Sequence, residues 1–451
     1  MDFEEFEMFI GIRTGVLLAS LLCSGLPVAA VGQSDPANFA TVINLPEDQP
    51  IIFGQINSDT QLNVAAGGTV ARGFNAGATN GSSANVEVNV LGGLVQSGFN
   101  ASPCSVLNVV SGTVEEGLEV GQGAKVNVVA GTIEGNSLSL FSDTTIGGGL
   151  WQGDHAYASG TTKITGGTFE GQVLTSAMND LTIEGGRFES LVSVTGASDA
   201  TITDGDFGVP PDQGPSGLLF QIGEGVISGG TIQGLLSIDS GSTVDVSGGA
   251  IDGVVAVTQV STLNLSGGAV AEDAGFAVFG ASTLNLFGSD FRINGFPLFG
   301  PTPGIPFAID LRDVTLSATL TDGSFFSFDL NSELVQAPDT NYIGPASFVN
   351  VTLIEAVGLA GDLSGDSAVD QSDLNLVLNN WGQSRGNWSN ADGFATASVD
   401  QEELNAVLNN WGASSSPSSL GATLVPEPGS AVAVFTGLAA LQRRFRKDGR
   451  R

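Results

Sequence analysis

Basic residues, histidine and tyrosine are scarce in this chain. Its 451 residues include 14 Lys and Arg, one His and two Tyr against 47 Asp and Glu, which gives a formal net charge of −33 at pH 7. Six of the basic residues stand in the last nine positions, so the chain upstream of them is strongly acidic. An acidic surface repels nucleic-acid phosphates and anionic membranes and attracts divalent cations. The composition therefore argues against a nucleic-acid partner.

Cysteine is also scarce, with two residues in the whole chain. Cys23 lies in an apolar N-terminal segment and Cys104 stands alone, so no intrachain disulfide is expected if that segment is removed. A protein exported without disulfides must be held together by its core or by metal.

Long hydrophobic runs are missing except at the two ends. The N-terminal run extends from Val16 to Leu26 after a single Arg13, with small residues at Ala29 and Ala30. This order predicts a secretory signal peptide over residues 1–30, cleaved near Ala30. The acidic "MDFEEFE" ahead of it fits this pattern poorly, which suggests Met8 as the true start, and a buried helix is the alternative.

The C-terminal run, Gly429 to Leu441, carries no charge. As a helix it would extend about 20 Å, which is shorter than the ~30 Å hydrocarbon layer of a membrane. It follows Pro426, Glu427 and Pro428 and precedes the Arg-rich terminus. This order resembles the PEP-CTERM sorting signal, here residues 425–451. The resemblance implies transient membrane association and processing by an exosortase-type enzyme, while a plain tail anchor is the alternative.

Glycine is abundant, with 64 residues, and it punctuates a repeated phrase. "LNVAAGGTV" begins at 62, "VNVLGGLV" at 88, "LNVVSGTV" at 107 and "VDVSGGAI" at 244, and most steps between the twelve copies are 18 or 19 residues. A period of this length, with apolar residues alternating inside each phrase, predicts a solenoid of short strands. In one copy we expect Val244, Val246 and Ile251 to point inward and Asp245 outward.

The fold class predicted from this repeat is all-β, a parallel β-helix of about 19 residues per coil over residues 60–290. Residues 31–59 form an N-terminal cap, and the Phe-rich residues 291–357 form a β cap over the last coil. The coils resemble the β-solenoids of autotransporter passengers and pectin-lyase-like proteins, which implies an architecture and no particular activity.

The chain then repeats a helical phrase, "DQSDLNLVLNNWG" at 370–382 and "DQEELNAVLNNWG" at 400–412. Ahead of the first helix, oxygen-bearing side chains occupy positions 1, 3, 5, 9 and 12 of a twelve-residue loop, and a backbone carbonyl is available at position 7. The predicted Ca²⁺ ligands are Asp362, Ser364, Asp366, Ala368, Asp370 and Asp373.

The second loop is depleted, since Phe394 and Thr396 stand at positions 3 and 5 and leave Asp392, Asp400 and Glu403 as ligands. Two such loop-helix units resemble a dockerin (type I-like) domain over residues 358–413, which implies Ca²⁺ and a cohesin-like partner. Residues 414–424 are a Ser-rich linker. We expect each helix to pack one apolar face, formed by Leu374, Val377, Leu378 and Trp381 in the first copy and by Leu404, Val407, Leu408 and Trp411 in the second.

No catalytic residue is predicted. The lone histidine, in "WQGDHAY", is interpreted as a chance residue of a surface loop, and Arg72, Lys125, Lys163 and Arg187 are scattered along the repeats. Three acidic residues in "SDATITDGDF", at 199, 204 and 206, are candidates for a ridge on adjacent corners.

These observations predict an exported structural or adhesive protein of the cell envelope, cell surface or extracellular matrix. Its expected partners are a cohesin-like protein, the processing enzyme and a cell-surface polysaccharide. A polysaccharide lyase or glycoside hydrolase that carries a dockerin is the alternative.

Overall fold

The computed structural model describes residues 33–208, 216–271, 274–333, 341–354, 369–382, 399 and 401–412. The chain divides into two units, Met1–Glu355 and Ala356–Arg451, which are described separately. The described part of the first is built of short strands after a 3₁₀ turn at Pro36–Asn38, and the described part of the second contains two helices, α1 (Gln371–Asn379) and α2 (Gln401–Asn409). Within the described residues, neither helix has the length and apolar character needed to cross a membrane.

The strands follow one another closely along the chain. The first twelve are β1 (Thr41–Leu45), β2 (Ile51–Ile52), β3 (Gln55–Ile56), β4 (Thr60–Ala65), β5 (Thr69–Val70), β6 (Asn75–Ala76), β7 (Val86–Val95), β8 (Asn100–Ala101), β9 (Ser105–Val114), β10 (Leu118–Val120), β11 (Lys125–Val128) and β12 (Thr132–Ile133). The next twelve are β13 (Ser137–Ile146), β14 (Leu150–Trp151), β15 (His155–Ile164), β16 (Thr168–Phe169), β17 (Val173–Phe188), β18 (Leu191–Thr195), β19 (Asp199–Phe207), β20 (Gly217–Gln221), β21 (Glu224–Ile227), β22 (Thr231–Ile232), β23 (Leu235–Asp239) and β24 (Thr243–Ile251). The last ten are β25 (Val255–Val257), β26 (Thr262–Val270), β27 (Phe276–Val278), β28 (Thr283–Ile293), β29 (Phe296–Pro297), β30 (Pro306–Ala308), β31 (Thr315–Leu320), β32 (Phe325–Asp329), β33 (Tyr342–Ile343) and β34 (Phe348–Leu353).

Each turn of the chain adds one segment to each of three parallel faces. In the coil of residues 243–257, face 1 contains residues 243–246, face 2 residues 250–251 and face 3 residues 255–257, and each segment pairs in parallel with its equivalents in the coils before and after. The result is a β-solenoid of about 12 turns with about 19 residues per turn, which confirms the architecture predicted from the repeat.

Alternation within the strands sorts the side chains as expected. Val244, Val246, Ile251 and Val257 are buried in one continuous apolar core, and Asp245 faces solvent. The same inward positions are filled by Leu, Ile or Val in most coils, so that each coil buries its apolar side chains against its two neighbours.

Face 2 carries a column of large aromatic side chains. Trp151, Phe169, Phe188 and Phe207 come from four successive coils, are fully buried and stack in one column. The ring centroids are 5.6 Å apart for Trp151 and Phe169, 4.8 Å for Phe169 and Phe188, and 4.9 Å for Phe188 and Phe207, with nearly parallel planes. This offset stacking adds ring–ring attraction to the area that the rings bury.

The outward positions of face 1 form an asparagine ladder. Each amide donates to the side chain one coil earlier: Asn63 Nδ2 to Asn44 Oδ1 at 2.9 Å, Asn89 Nδ2 to Asn63 Oδ1 at 2.9 Å and Asn108 Nδ2 to Asn89 Oδ1 at 2.8 Å. The first rungs are buried although they point away from the core, and Gln33 Nε2 donates to Asn63 Oδ1 at 3.0 Å. The segment preceding β1 therefore covers part of this ladder.

Glycine at the corner between faces 1 and 2 is required by geometry. Gly249 has a φ of +90°, and a Cβ there would lie 2.7 Å from the carbonyl oxygen of Gly230 in the coil before. A side chain at this corner would therefore clash with backbone as well as strain φ.

The stacking extends beyond residues 60–290 at both ends. β1 to β3 form a coil ahead of β4, and after β28 the chain leaves to make the antiparallel strands β29 to β32. It then returns to lay β33 on β27 and β34 on β28 in parallel, as one more rung. The β cap predicted for residues 291–357 thus combines an antiparallel excursion with a final turn of the solenoid.

Candidate functional site

Two of the predicted calcium ligands, Asp370 and Asp373, lie at the N-terminal end of α1 in the second unit. Asp370 caps α1, because its Oδ1 accepts the Ser372 backbone N–H at 2.6 Å, and the Asp373 Oδ2 accepts the Asp370 backbone N–H at 2.8 Å. The hydrogen bonds from Ser372 lower the pKa of the exposed Asp370 carboxyl below its ordinary value. Asp373 is fully buried, which places a carboxylate at the base of the loop where position 12 is expected.

The two helical phrases are held together by a reciprocal pair of hydrogen bonds. The Gly382 N–H, after α1, donates to the Val399 carbonyl ahead of α2, and the Gly412 N–H, after α2, donates to the Val369 carbonyl ahead of α1, both at 2.8 Å. Gly382 and Gly412 are equivalent positions of the thirty-residue repeat, and so are Val369 and Val399. Each copy therefore binds the other through the same pair of positions. The core between them contains four buried valines, Val369, Val377, Val399 and Val407.

The predicted apolar faces of these helices are wrong in part. Val377 is buried and Leu374 packs against the core, but Leu378 and Trp381 are 57 % and 48 % exposed. The second copy repeats this division, with Leu408 and Trp411 exposed to similar extents. A unit of two nine-residue helices covers only a narrow stripe of each helix, which leaves a Leu and a Trp of each copy on the surface.

The remaining predicted site residues lie outside the described residues. They are Asp362, Ser364, Asp366, Ala368, Asp392, Asp400, the side chain of Glu403, Ala30, Pro426, Glu427 and Pro428. Within the described residues, no group of three or more His, Cys, Asp and Glu side chains could hold a metal ion. Of the predicted ligands in the first loop, the described residues include Asp370 and Asp373, and the calcium site stays a prediction.

The interpretation of the lone histidine as part of a surface loop is wrong. His155 is the first residue of β15, on the inward side of face 3, and is fully buried. Its Nδ1 lies 2.9 Å from Ser137 Oγ in the coil before, and its ring packs edge-on against Trp151 with the centroids 5.0 Å apart. Burial lowers the pKa of His155 from its ordinary value of 6.5 to about 4, against the opposing effect of the Asp154 carboxylate.

We expect this histidine to make the solenoid sensitive to acid. Because its pKa is lower in the folded chain than in the unfolded chain, stability is fully present above pH 6.5 and is lost as the pH falls from 6.5 to about 4. The shift corresponds to about 3 kcal/mol at 1.36 kcal/mol per pKa unit. The control variant is His155→Val, which introduces the residue type of Val173 in the next coil. Denaturant titrations at several pH values should show that the free energy of unfolding falls more steeply with decreasing pH in the wild type than in this variant. An equal pH dependence of the free energy of unfolding in both proteins would contradict the burial of an uncharged imidazole.

The three aspartates expected to form a ridge on adjacent corners lie on two faces of one strand, and two of them have acidic register partners. Asp199, Asp204 and Asp206 all lie in β19, and Asp199 is in register with Asp180 and Glu224 on face 1. Asp204 is in register with Glu184, and Asp206 lies on face 2, so the three aspartates are spread along the two faces that β19 crosses.

Two of the scattered basic residues make ion pairs on the outer surface. Lys163 Nζ lies 2.7 Å from Glu184 Oε1, and Arg187 Nε lies 2.9 Å from Glu189 Oε1. Arg72 borders a shallow surface depression of about 400 Å³ at the corner between faces 2 and 3. The depression is lined by Arg72, Ser97, Gly98, Glu116, Gly117, Gly135 and Asn136.

Sequence reasoning missed the buried polar residues that accompany His155. Tyr157 and Asn179 are both buried inside the solenoid, and burial raises the pKa of the Tyr157 hydroxyl above its ordinary value. The signal was present, because Tyr157 stands two residues after His155 and period-2 alternation places both on one side of the strand.

The chain matches no protein-family model, no curated protein and no solved structure.

Proposed function

We propose that this chain is an exported, non-enzymatic scaffold of the cell surface, with a rod of stacked coils as its body and a calcium-dependent docking module as its second unit. The observation that supports the rod is the parallel pairing of successive coils from β1 to β28 and on to β34. Such a structure displays long rows of outward side chains at a spacing of about 4.8 Å, which suits repeated weak contacts with an extended polymer such as a surface polysaccharide.

An enzymatic role is the competing proposal, and an assay separates the two. The exported chain is incubated with a panel of neutral and acidic polysaccharides, and unsaturated or reducing ends are measured. We expect retention of some polymers on the immobilised protein without release of new ends. Release of ends would overturn the scaffold in favour of a lyase or glycosidase.

Export and processing at both ends belong to the same proposal. We expect protein recovered from the cell surface to lack residues up to about Ala30 and the Arg-rich terminus. The intact mass should be measured before and after reduction, because Cys104 is disulfide-bonded and a disulfide would keep a cleaved segment that contains Cys23 attached to the chain. Recovery of chains that still carry Arg451 would favour a simple tail anchor.

The docking module is proposed to bind one Ca²⁺ tightly through its first loop. The buried Asp373 carboxylate and the reciprocal bonds between the two helical phrases support this, because a neutralising cation next to Asp370 and Asp373 would let the first helix pack against the second. The exposed Leu378, Trp381 and their repeat partners are then the proposed contact surface for a cohesin-like protein.

Calorimetric titration of the exported chain with Ca²⁺ should show one tight site. Asp366→Ala should abolish it, whereas the matched Asp392→Ala in the depleted second loop should leave it nearly unchanged. A pull-down from cell-envelope extract, with Ca²⁺ and with a chelator, measures whether capture of a partner depends on Ca²⁺. Two equal sites would show that the second loop is complete, and an absence of binding would remove the metal from the proposal.

A further inference from the structure

Three polar atoms inside neighbouring coils have no hydrogen-bond partner within the described part of the chain. They are His155 Nε2, Tyr157 Oη and Asn179 Oδ1, and each of the three residues is more than nine-tenths buried. A polar atom taken out of water without a new partner destabilises the folded state, so native structures leave very few such atoms. Three of them within 25 residues of sequence need a common explanation.

The three atoms belong to a section of the solenoid in which polar side chains replace apolar ones at inward strand positions. Ser137 and Ser139 stand where the coil before has the larger Leu118 and Val120. On face 1, Thr144 and Thr162 occupy the inward column that holds Val126 before them and Leu181 after them. The chain therefore replaces apolar by hydroxyl-bearing side chains on face 3 and on the following face 1, and it reduces side-chain volume at the two serine positions.

Most of these hydroxyls satisfy one another. Ser139 Oγ is hydrogen-bonded to Ser142 Oγ and lies 3.3 Å from Thr144 Oγ1. Asn179 Nδ2 donates to Thr162 Oγ1 at 3.4 Å, and the Asn179 backbone N–H donates to Ser198 Oγ at 3.2 Å. What is left over is one amide oxygen, one phenol hydroxyl and one imidazole nitrogen, so the section offers both donors and acceptors.

We propose that this section of the solenoid is a hydration site, in which ordered water molecules bind His155 Nε2, Tyr157 Oη and Asn179 Oδ1. Water is the ligand that fits, because it is neutral, small and both donates and accepts hydrogen bonds. A charged ligand does not fit, since the polar side chains of the section are uncharged and burial lowers the pKa of His155. The site lies in the interior of the rod and is independent of the proposed docking and surface functions.

The effect of Tyr157→Phe on the denaturation midpoint has a sign that tests this site. If Oη holds a water molecule, removal of the hydroxyl deprives that water of a hydrogen-bond partner and the midpoint falls. If Oη has no partner at all, its removal relieves an unfavourable burial and the midpoint is unchanged or rises. The matched control is Tyr342→Phe, which alters the only other tyrosine, a half-buried residue at the C-terminal end of the solenoid, and should leave the midpoint unchanged.

A high-resolution crystal structure of the exported chain provides the second measurement. We expect ordered water within hydrogen-bond distance of all three atoms, and loss of the water bound to residue 157 in the Tyr157→Phe variant. Asn179→Ser, which introduces the residue found one coil later at Ser198, should lose the water at residue 179 and keep the others. Direct bonds between the three atoms, or a dry interior together with a raised midpoint in Tyr157→Phe, would overturn the proposal.

Discussion

Val246→Asp should destabilise the solenoid by about 4 kcal/mol or more at pH 7. Val246 is 1 % exposed and lies in the inward column of face 1 between Ile227 and Leu265. A carboxyl group there has no partner, so it stays neutral, and holding an aspartic acid neutral three pH units above its ordinary pKa costs roughly 1.36 kcal/mol per unit. Loss of the buried valine methyl groups adds to this cost.

The measurement is a urea titration of the exported chain followed by far-ultraviolet circular dichroism, repeated at pH 4 and pH 7. We expect the difference between variant and wild type to be smaller at pH 4, because the carboxyl is then about half protonated in the unfolded chain and little free energy is needed to keep it neutral in the folded chain. Val129→Asp is the matched control, since Val129 is 41 % exposed and should tolerate the charge. Equal effects of the two substitutions would show that residue 246 does not point inward.

Phe188→Ala should have the next largest effect, a loss of about 3–5 kcal/mol in the free energy of unfolding. Phe188 is sandwiched between Phe169 and Phe207 at 4.8 Å and 4.9 Å, so truncation removes two ring contacts and leaves a cavity that the stacked backbones of the coils cannot close. Because each coil contacts only its neighbours, the defect weakens the interfaces on both sides of one coil.

Differential scanning calorimetry of the two chains measures this loss, and a split transition would report unfolding that begins at the defect. Phe325→Ala is the control of the same chemistry, because Phe325 is largely exposed in the antiparallel cap. If Phe188→Ala and Phe325→Ala gave the same small change, the aromatic column would not be the core of face 2.

The solenoid was predictable because its physical signals agree. Alternation assigned Val244, Val246 and Asp245 to the correct sides, and the glycine pairs marked the corner that Gly249 makes with positive φ. The final rung was harder to predict, since β34 contains the phrase "FVNVTL" but follows an excursion of antiparallel strands. A search for evenly spaced repeats does not find β34 and assigns it to the cap.

The two wrong predictions concern positions whose burial depends on packing against neighbouring coils or against the other helix, which the local sequence does not show. The immediate neighbours of His155 indicate a loop, whereas one coil earlier and later its column contains Ser137 and Val173, both on the inward side. The helix faces were predicted from spacing alone, and spacing does not tell how much of a helix its partner covers. Leu378 and Trp381 satisfy the apolar spacing and are nevertheless on the surface.

Pairs of spin labels directly test the parallel stacking of equivalent residues from successive coils. Thr243, Thr262 and Thr283 are register partners on the outward side of face 1. Labels at 262 and 283 should lie on backbones about 4.8 Å apart and show strong spin–spin broadening, while labels at 243 and 283 should be about twice as far apart and show weaker broadening. An absence of broadening in both pairs, or broadening of equal strength, would contradict the stacked solenoid.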